Sequence, residues 1–452
     1  MNETHAAVLT RLYGTWSTRT LSDRAIATAK LGLLDILGCI VAGASTETAA
    51  IVRELARSQG DASGGSSVMG TRDKLPVALA ALANGVAGHV LDYDDMNSTM
   101  IAHPSVVLVP ALFAVAEKNG KSGRDVISAY VLGFEVNAHF ARVMVPHHYN
   151  AGWHSTSSLG IFGATAATCR LLDVPAAGTL NALAIAASNS AGIRGNFGSM
   201  TKSLHAGQAA EGAVRAAMLS ARGFTANTEV FDAPGGYFST YGTNHEPRPE
   251  PASGALEIES SGIGIKPYAC CGAGVSVIDA ALDLRNEHRL AGAAIAAVDV
   301  ILSPMAASIM PFHEANDDLQ AKYSLAYCAA VALLDGKGGL GQFDDERVRR
   351  QDVRDLVRRT QVTADARMAS GAGRFGVHMM VTMVDGRQVS TELEIPRGHP
   401  NRPLEGERHL DKFLECAAPV IGDANAREAA RRVNAFEREA GVGAFMELLR
   451  PR

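Results

Sequence analysis

Charged residues are scarce in this 452-residue chain, and neither sign dominates. Asp, Glu, Lys and Arg together make up 20% of the sequence, with 42 basic against 47 acidic side chains and a formal net charge of −5. Because proteins bind nucleic acid largely through an excess of Lys and Arg, we expect no nucleic-acid partner. The 47% of hydrophobic residues also argues against an intrinsically disordered chain.

Aromatic residues are also few, at 6%, whereas glycine is frequent, with 45 residues. This combination favours closely packed helices that are joined by tight loops. The cysteines form no C-x-x-C pair and therefore predict neither a zinc site nor a disulfide framework. They stand at Cys39, Cys169, Cys270, Cys271, Cys328 and Cys416.

No apolar run is long enough to predict a membrane segment. The most apolar stretch, residues 31–41, contains Asp35 and is shorter than the roughly 20 residues that span a bilayer, so we predict a buried helix. Residues 1–20 lack the apolar core of a signal peptide. We therefore expect a cytoplasmic protein that does not associate with membranes.

Helical spacing dominates the first half of the chain. Ser22 precedes apolar residues at helical intervals that continue to Gly43, which is typical of an N-cap followed by a helix. Further Ala-rich helices are predicted over residues 79–91, 106–117, 123–143, 159–172, 176–191 and 206–222.

The pattern changes after about residue 265. Apolar residues alternate over 295–302 and again over 376–395, where Asp385-Gly386 divides the stretch in two and predicts a hairpin turn. Helices are predicted between these strands, at 323–334 and 345–360, and helical patterning returns from Glu407 to the end.

We therefore predict a mainly α fold with two domains. A large all-helical domain comprises residues 1–265 and is completed by residues 400–452, while a smaller α+β lid domain, residues 266–399, is inserted into it. An interface between two domains is a preferred place for a small-ligand site, so we expect the functional site there.

No familiar cofactor motif accounts for the sequence. Residues 336–341 match G-x-G-x-x-G, but a dinucleotide site needs a strand before the glycines and a helix after them. Here a helix is predicted on both sides, so we interpret the segment as a loop. The chain contains neither a P-loop nor an H-E-x-x-H motif, and we expect no cofactor.

The most distinctive polar segment is residues 88–105. Asp92, Asp94 and Asp95 lie close together, followed by His103. One interpretation is a solvated loop in which Asp95 or Asn97 caps a helix. Charged groups within long apolar stretches are costly to bury unless they are paired or functional, which favours an active site. A metal bound by His89, Asp92, Asp94 and His103 is a third interpretation, although no ligand spacing singles out a metal, and we expect none.

Three further polar segments lie between apolar flanks. They contain His154, then Lys202 and His205, and finally Lys266 with Tyr268. Taken singly, such residues are typical of a helix start or a hinge between domains. Lysines and histidines that converge on a cleft would instead bind a substrate with several carboxylates and remove a proton α to one of them.

Five ordered segments, which span nearly the whole chain, resemble the 2-methylcitrate dehydratase (MmgE/PrpD) family. They are Leu91-Asp92-Tyr93-Asp94-Asp95 with His103-Pro104-Ser105, Gly152-Trp153-His154-Ser155-Thr156, Thr201-Lys202-Ser203-Leu204-His205-Ala206-Gly207, Lys266-Pro267-Tyr268, and Ala321-Lys322-Tyr323-Ser324-Leu325-Ala326-Tyr327. The resemblance implies a cofactor-free homodimer with a helical domain, an α+β lid and an active site between them. It also implies a small polycarboxylate substrate, since members include 2-methylcitrate dehydratase, cis-aconitate decarboxylase and iminodisuccinate epimerase.

The resemblance also implies site residues. The family's catalytic positions correspond to His103, His154, Lys202, Lys266 and Tyr327. Asp92 is a family position as well, and we group it with the candidate substrate-binding residues Asn97, His205 and Tyr268. The chain departs from the family at Val275, where many members carry a histidine nine residues after the lysine, and in Met96-Asn97-Ser98-Thr99, where dehydratase-like members often have a threonine and an aromatic residue.

These residues predict an enzyme that removes a proton α to a carboxylate of a small di- or tricarboxylic acid. His103 or His154 would be the base, and Lys202 and Lys266 would hold carboxylates or the developing enolate. Loss of hydroxide would make the enzyme a dehydratase, which is our leading hypothesis. The alternatives are an epimerase, a cis-aconitate-type decarboxylase and a carboxylate-binding protein without catalysis.

Overall fold

The structure is a computed structural model that describes residues 3–60, 65–242, 255–368 and 375–451, and the statements below refer to these residues. Helices dominate, which confirms the predicted mainly α fold. Before residue 265 the helices are α1 His5–Gly14, α2 Asp23–Gly43, α3 Glu47–Ser58, α4 Val77–Val90, α5 Ser105–Asn119, α6 Gly123–Met144, α7 His147–Asn150, α8 Ser155–Ser158, α9 Gly160–Leu171, α10 Ala176–Ala187, α11 Met200–Ser220, α12 Tyr237–Tyr241 and α13 Glu257–Ser260. A short antiparallel pair, β1 Ser66–Ser67 and β2 Lys74–Leu75, lies between α3 and α4.

Helix α2 begins where the sequence predicts, because the Ser22 hydroxyl accepts a hydrogen bond from the amide of Ala25. Among the described helices, α2 alone is long and apolar enough to cross a membrane by length and composition, yet 67% of its most apolar window is buried inside the protein. It packs against α4 and against the C-terminal helix α20, Arg408–Ile421. This burial is what a core helix requires.

The predicted start of α11 was wrong, and the error bears on the site. The sequence placed the helix at 206–222 because Lys202, Ser203 and His205 interrupt the apolar pattern, but the helix begins at Met200. Those three polar residues are buried in its first two turns. The helix therefore carries Lys202 and His205 on a rigid element rather than on a loop.

Residues 266–399 combine helices with a four-stranded sheet. The helices are α14 Gly272–His288, α15 Pro304–Ser308, α16 Asp318–Ala321, α17 Leu325–Asp335, α18 Asp345–Val348 and α19 Gln351–Arg358, and the strands are β3 Ile295–Leu302, β4 Thr360–Ala364, β5 Val377–Met383 and β6 Gln388–Leu393. The strand order is β4-β3-β5-β6, with β3 and β4 parallel and the other pairs antiparallel. Alternate residues of β5 are buried, and α14 packs against β5 and β6.

The sequence correctly predicted one turn and one loop in this part of the chain. The β5–β6 turn lies at Asp385-Gly386, as predicted, and Gly386 adopts a φ of +86° that favours glycine. The glycine-rich residues 336–341 form the predicted loop, since Gly336 ends α17 and Asp344 caps α18. The predicted helix at 345–360 is confirmed over most of its length, but it is divided into the short helices α18 and α19, and the chain enters strand β4 at Thr360.

The C-terminal residues return to the first helices. Here α20 and α21, Asp423–Val433, both pack against α2, and the final helix is α22, Gly443–Met446. All six cysteines are buried free thiols. The boundaries of the two predicted domains stay a prediction.

Candidate active site

A cavity with about 850 Å³ of empty space contains most of the predicted site residues. Part of this space is open to solvent. The residues that line it are Asp92, Met96, Asn97, Ser98, Ile101, Ala102, His103, Tyr149, His154, Thr156, Phe197, Lys202, Gly264, Ile265, Lys266, Cys271, Gly272, Val275, Met305, Ile309, Tyr323, Phe375, Pro396, Arg397, Gly398, His399 and Pro400. They come from both the early helices and residues 266–399, so the two parts of the chain build one cavity.

The loop between α4 and α5 brings Asp92 to two lysines. The Asp92 Oδ1 atom lies 2.7 Å from Lys266 Nζ and 3.1 Å from Lys202 Nζ. Burial alone would raise the pKa of Asp92, but the two ammonium groups outweigh it and hold that pKa well below its usual range. Asp92 is therefore an ionised carboxylate between two cations.

The two lysines differ in how their ammonium groups are bound. Lys266 Nζ donates to Asp92 Oδ1, to the Asp92 carbonyl and to the Cys270 carbonyl, so the protein uses all three of its donors. Lys202 Nζ makes no hydrogen bond within the described residues, although it lies beside Asp92. Lys202 therefore has donors for a ligand, whereas Lys266 holds Asp92 in place. Binding of a substrate carboxylate by Lys266 stays a prediction.

Asp94 orients two histidines. Its Oδ2 atom lies 2.8 Å from His89 Nδ1 and 3.3 Å from His103 Nδ1. The two imidazole rings meet edge to face at 4.8 Å. Because the Nδ1 atom of His103 faces Asp94, the Nε2 atom on the other side of the ring points away from the Asp94 carboxylate. The His103 side chain is 15% exposed.

A third histidine, His154, lies at the start of α8. Its ring stacks on His89 at 5.5 Å, and its Nδ1 lies 3.2 Å from His205 Nδ1. His205 is thus behind His154 and is not part of the cavity wall. Together these contacts place a continuous group of imidazoles beside the Asp92 carboxylate.

These imidazoles are neutral near pH 7. Burial, assisted by Lys266 and Lys202, lowers the pKa of His103 to about 3 despite the opposing charge of Asp94. Burial and the neighbouring His89 and Lys202 hold the pKa of His154 well below its ordinary value. A neutral imidazole has a free lone pair and can accept a proton.

The positive and negative charges around the cavity balance. Lys202 and Lys266 are matched by Asp92 and by Asp94, whose pKa is lowered because the nearby His89 and His103 outweigh the effect of burial. A substrate with several carboxylates would make the site negative. Added negative charge favours the protonated form of a histidine, so such a substrate would draw a proton onto it.

His89, Asp94 and His103 also present ligand atoms within 4.8 Å of one another, the arrangement that a metal ion could use. The nearby Lys202 and Lys266 oppose this, since they disfavour positive charge on both imidazoles and would repel a cation in the same way. The hydrogen bond from His89 already engages Asp94. A metal-free site stays our prediction.

Two loop residues have structural partners. The Asp95 carboxyl group accepts hydrogen bonds from the amide and hydroxyl of Ser105, the first residue of α5. The loop is buried, so the interpretation as a solvated loop was wrong. Asn97 borders the cavity, but its amide donates to Ser261 Oγ and the Gly262 carbonyl and accepts from Met100. Asn97 therefore holds the loop that lines the cavity.

The two predicted tyrosines lie outside the cavity wall. The Tyr327 hydroxyl donates to the Gln342 carbonyl at 2.5 Å, and the Tyr268 hydroxyl donates to Asp279 at 2.8 Å. The sequence analysis missed Tyr323, which does line the cavity and whose hydroxyl interacts with the Asp92 carboxylate. Tyr323 lies four residues before Tyr327 in the same segment, just ahead of the Ser324 N-cap of α17.

Other missed residues shape the cavity. Arg397 lines it while binding Asp279 through its guanidinium and its backbone amide. Val275, at the position where the family resemblance leads one to expect a histidine, lines the cavity, as do the apolar side chains of Met305, Ile309 and Phe375. The wall therefore combines apolar side chains with the polar groups around Asp92.

The neutral histidines predict a loss of stability in acid. An unfolded histidine titrates near pH 6.5, whereas the pKa of His103 is lowered to about 3 and that of His205, again chiefly by burial, to about 4. Below pH 6.5 the unfolded chain therefore binds protons that the folded protein does not, so folding stability falls as the pH is lowered. We expect a loss of about 2 kcal/mol per fully buried imidazole between pH 7 and 5.

Denaturant unfolding at pH 7, 6 and 5 measures this loss. The exposed His313 provides a matched control, and His313→Gln should leave the slope unchanged. Buried Glu135, whose pKa burial raises to about 7, opposes the histidine effect, so the decisive comparison is with a histidine variant. A pH slope that is the same in wild type and in His205→Asn would contradict charge-neutral burial of His205.

Comparison with known proteins places the chain in a family. The MmgE/PrpD N-terminal domain model matches residues 9–250, and the MmgE/PrpD C-terminal domain model matches residues 268–437. Cis-aconitate decarboxylase from Homo sapiens is 29% identical over 419 residues, covering 89% of this chain and 85% of that protein. The enzyme of the same name from Aspergillus terreus is 27% identical over 411 residues, covering 85% of this chain and 84% of that protein. The chain therefore belongs to the MmgE/PrpD family.

Proposed function

We propose that the protein is a cofactor-independent lyase that decarboxylates a small unsaturated tricarboxylic acid of the cis-aconitate class. The observation that carries this proposal is that the neutral His103 and His154 line the same cavity as the Lys202 ammonium and the Tyr323 hydroxyl, both of which lie beside Asp92. The names of the relatives support the choice of substrate class and of decarboxylation over our earlier preference for dehydration.

The donors of Lys202 and Tyr323 suit a substrate carboxylate. Both side chains are buried beside Asp92, at 5% and 3% exposure. Burial and the charge of Asp92 raise the pKa of Tyr323 well above its ordinary value, so its hydroxyl keeps its proton and donates. An ammonium and a hydroxyl in a dry cavity stabilise a carboxylate, or the negative charge that develops next to it, more strongly than they would in water.

The histidines suit the proton transfer. In an acid of this class, one carboxylate is attached to a carbon that is itself bonded to a C=C double bond. When the bond between that carbon and the carboxylate breaks, carbon dioxide leaves and the bonding electrons form a new double bond. The far carbon of the former double bond then takes a proton. His103, which gains a proton when the anionic substrate binds, donates it to that carbon from Nε2, and His154 is the second candidate.

The apolar side chain of Val275 favours decarboxylation over dehydration. A leaving hydroxide needs a proton donor beside it, whereas carbon dioxide leaves as a neutral apolar molecule. Val275 stands where the family resemblance leads one to expect a histidine, and it provides no such donor. Dehydration remains the second candidate, because a neutral His103 is also able to remove a proton α to a carboxylate.

A substrate panel in deuterium oxide tests the proposal. We expect proton NMR to show that cis-aconitate loses carbon dioxide and that the product carries one solvent deuterium. Water loss from 2-methylcitrate or a related hydroxy acid would support a dehydratase instead. Deuterium exchange without a new product would support an epimerase, and binding without exchange a carboxylate-binding protein.

We also expect the activity to survive removal of metal ions. The protein would be dialysed against a strong chelator and assayed in metal-free buffer, with a metal-dependent hydrolase treated alongside as the control. Turnover should stay within twofold of the untreated protein, because the reaction needs only side chains that line the cavity. A loss that a divalent cation restores would assign a metal to His89, Asp94 and His103.

A further inference from the structure

Lys412 is a buried lysine outside the cavity wall, on helix α20. Its Nζ atom lies 2.6 Å from Asp35 Oδ1 on α2 and donates to the Tyr93 carbonyl at 2.6 Å. The same ammonium lies 3.9 Å from the centroid of the Tyr93 ring, which is cation–π distance. Lys412 therefore joins two core helices to the loop that carries Asp92 and Asp94.

Tyr93 lies at the centre of this loop. The residue before it, Asp92, faces Lys202 and Lys266, and the residue after it, Asp94, faces the histidines. The Tyr93 hydroxyl donates to the carbonyl of Pro267, the neighbour of Lys266. Tyr93 is thus bound at its backbone and ring by Lys412 and at its hydroxyl by the segment that provides Lys266.

The conformation of this loop has to be held. Asp92 has a φ of +50°, a left-handed backbone that is uncommon for a residue other than glycine. Asp92, Asp94 and Asp95 are at most 2% exposed, so three carboxyl groups within four residues are buried together. Without cations close to them, these groups would favour an open, hydrated loop.

Lys412 completes the charge balance of this region. Burial and the nearby Asp35 raise the pKa of Asp95 well above its ordinary value, so Asp95 is a neutral acid that Ser105 binds. Burial alone would lower the pKa of Lys412, but Asp35 outweighs it and raises that pKa. Burial also raises the pKa of Asp35, although Lys412 opposes that rise. Lys412 and Asp35 therefore form a buried pair of their own, beside the ion pairs of Asp92 with Lys202 and Lys266.

We propose that Lys412, with Asp35 as its counter-ion, is a positioning residue for the active site. It holds Tyr93 in place. Asp92 thereby keeps its ion pairs with Lys202 and Lys266, and Asp94 keeps its contacts with His89 and His103. The catalytic consequence rests on the proposed function, whereas the positioning of the loop is measurable without any substrate. Lys412 acts through Tyr93 and does not touch the substrate.

The test removes the buried ion pair without leaving a lone charge, by combining Asp35→Asn with Lys412→Met. A matched control combines Lys30→Met with Glu437→Gln. Lys30 also joins α2 to the C-terminal residues, because its Nζ atom donates to Glu437 and to the Asn434 carbonyl. These contacts do not involve the loop that carries Asp92 and Asp94. Circular dichroism and thermal unfolding establish that each variant is folded. Lys412→Gln with Asp35→Asn, which keeps a neutral donor for Tyr93, serves if the first variant does not fold.

Two readouts separate positioning from general stabilisation. The first is the low-field proton NMR signal of the His89 Nδ1–H group bonded to Asp94, which needs no substrate. The second is turnover of the acid identified in the substrate panel. In the folded ion-pair variant we expect the His89 signal to shift or vanish and kcat to fall at least about 100-fold with KM within fivefold, while the control pair changes neither.

A folded ion-pair variant with an unchanged His89 signal and wild-type kcat would overturn the proposal. If the wild-type protein turns over none of the acids, the proposed function fails, and the His89 signal alone then decides whether Lys412 positions the loop. A signal retained in the variant rejects positioning, and a signal lost only in the variant supports it.

Discussion

Lys202→Met should lower kcat/KM at least about 1,000-fold while leaving the protein folded. Lys202 Nζ lies beside Asp92 yet makes no hydrogen bond within the described residues, so its donors are available to a substrate carboxylate and to the charge that develops during the reaction. A 1,000-fold loss corresponds to about 4 kcal/mol of transition-state stabilisation. That size is reasonable for an ammonium that acts in a cavity from which water is excluded.

The comparison with Lys266 makes this prediction specific. Because Lys266 Nζ is bound by three protein acceptors, Lys266→Met leaves buried polar groups without partners and should first cost stability, by about 3–5 kcal/mol. Steady-state kinetics and denaturant unfolding of both variants separate the two roles. Lys337→Met, at an exposed lysine, controls for loss of a positive charge.

A Lys202→Met variant within tenfold of wild-type kcat/KM would contradict a role in catalysis. A Lys266→Met variant of wild-type stability would contradict the buried hydrogen bonds of that lysine. Lys202→Arg is expected not to restore activity, since the planar guanidinium does not occupy the space of an ammonium.

His103→Asn should lower kcat by 100- to 10,000-fold, the usual contribution of a positioned proton donor or base. The Nδ1 atom of His103 lies 3.3 Å from both the carbonyl oxygen and Oδ2 of Asp94, and its side chain lines the cavity. Asn retains a polar group of similar reach but does not exchange a proton at neutral pH. Substrate affinity should change far less than kcat.

His205→Asn is the matched comparison for this prediction. His205 contacts His154 but lies outside the cavity wall, so we expect a loss of less than tenfold. Measuring kcat, KM and solvent deuterium incorporation for both variants tests the assignment. A His205 variant that is more impaired than the His103 variant would transfer the proton-transfer role to the His154–His205 pair.

The parts of the fold that the sequence predicted are those with local causes. Ser22 caps α2 through a contact three residues away, and the turn at Asp385-Gly386 depends on one glycine with a positive φ. The alternating burial of β5 is likewise a property of the strand itself. Each of these signals lies within a few residues of the structure that it determines.

The errors arose where distant contacts decide the structure. Lys202 and His205 interrupt an apolar pattern, yet α11 continues through them because Asp92 and His154 are their buried partners. The donors of Lys266 are satisfied by Asp92, a residue 174 positions away, which no local pattern reveals. Tyr323 and Tyr327 share one segment, and only the packing of α17 places the first in the cavity and the second against the Gln342 carbonyl.

Some expectations stay predictions. The homodimer follows only from the family resemblance, and sedimentation analysis of the purified protein would test it. The cytoplasmic location follows only from composition.

The most direct test of the central claim is a carbon balance with cis-aconitate that carries carbon-13 in all of its carboxylates. Wild-type protein should release one equivalent of labelled carbon dioxide for each molecule of acid consumed and leave a dicarboxylic acid. In deuterium oxide that product should carry one solvent deuterium, and the Lys202→Met and His103→Asn variants should release the gas at least 100-fold more slowly. Consumption of the acid with all three labelled carboxylates retained, or no consumption despite measurable binding, would contradict the account.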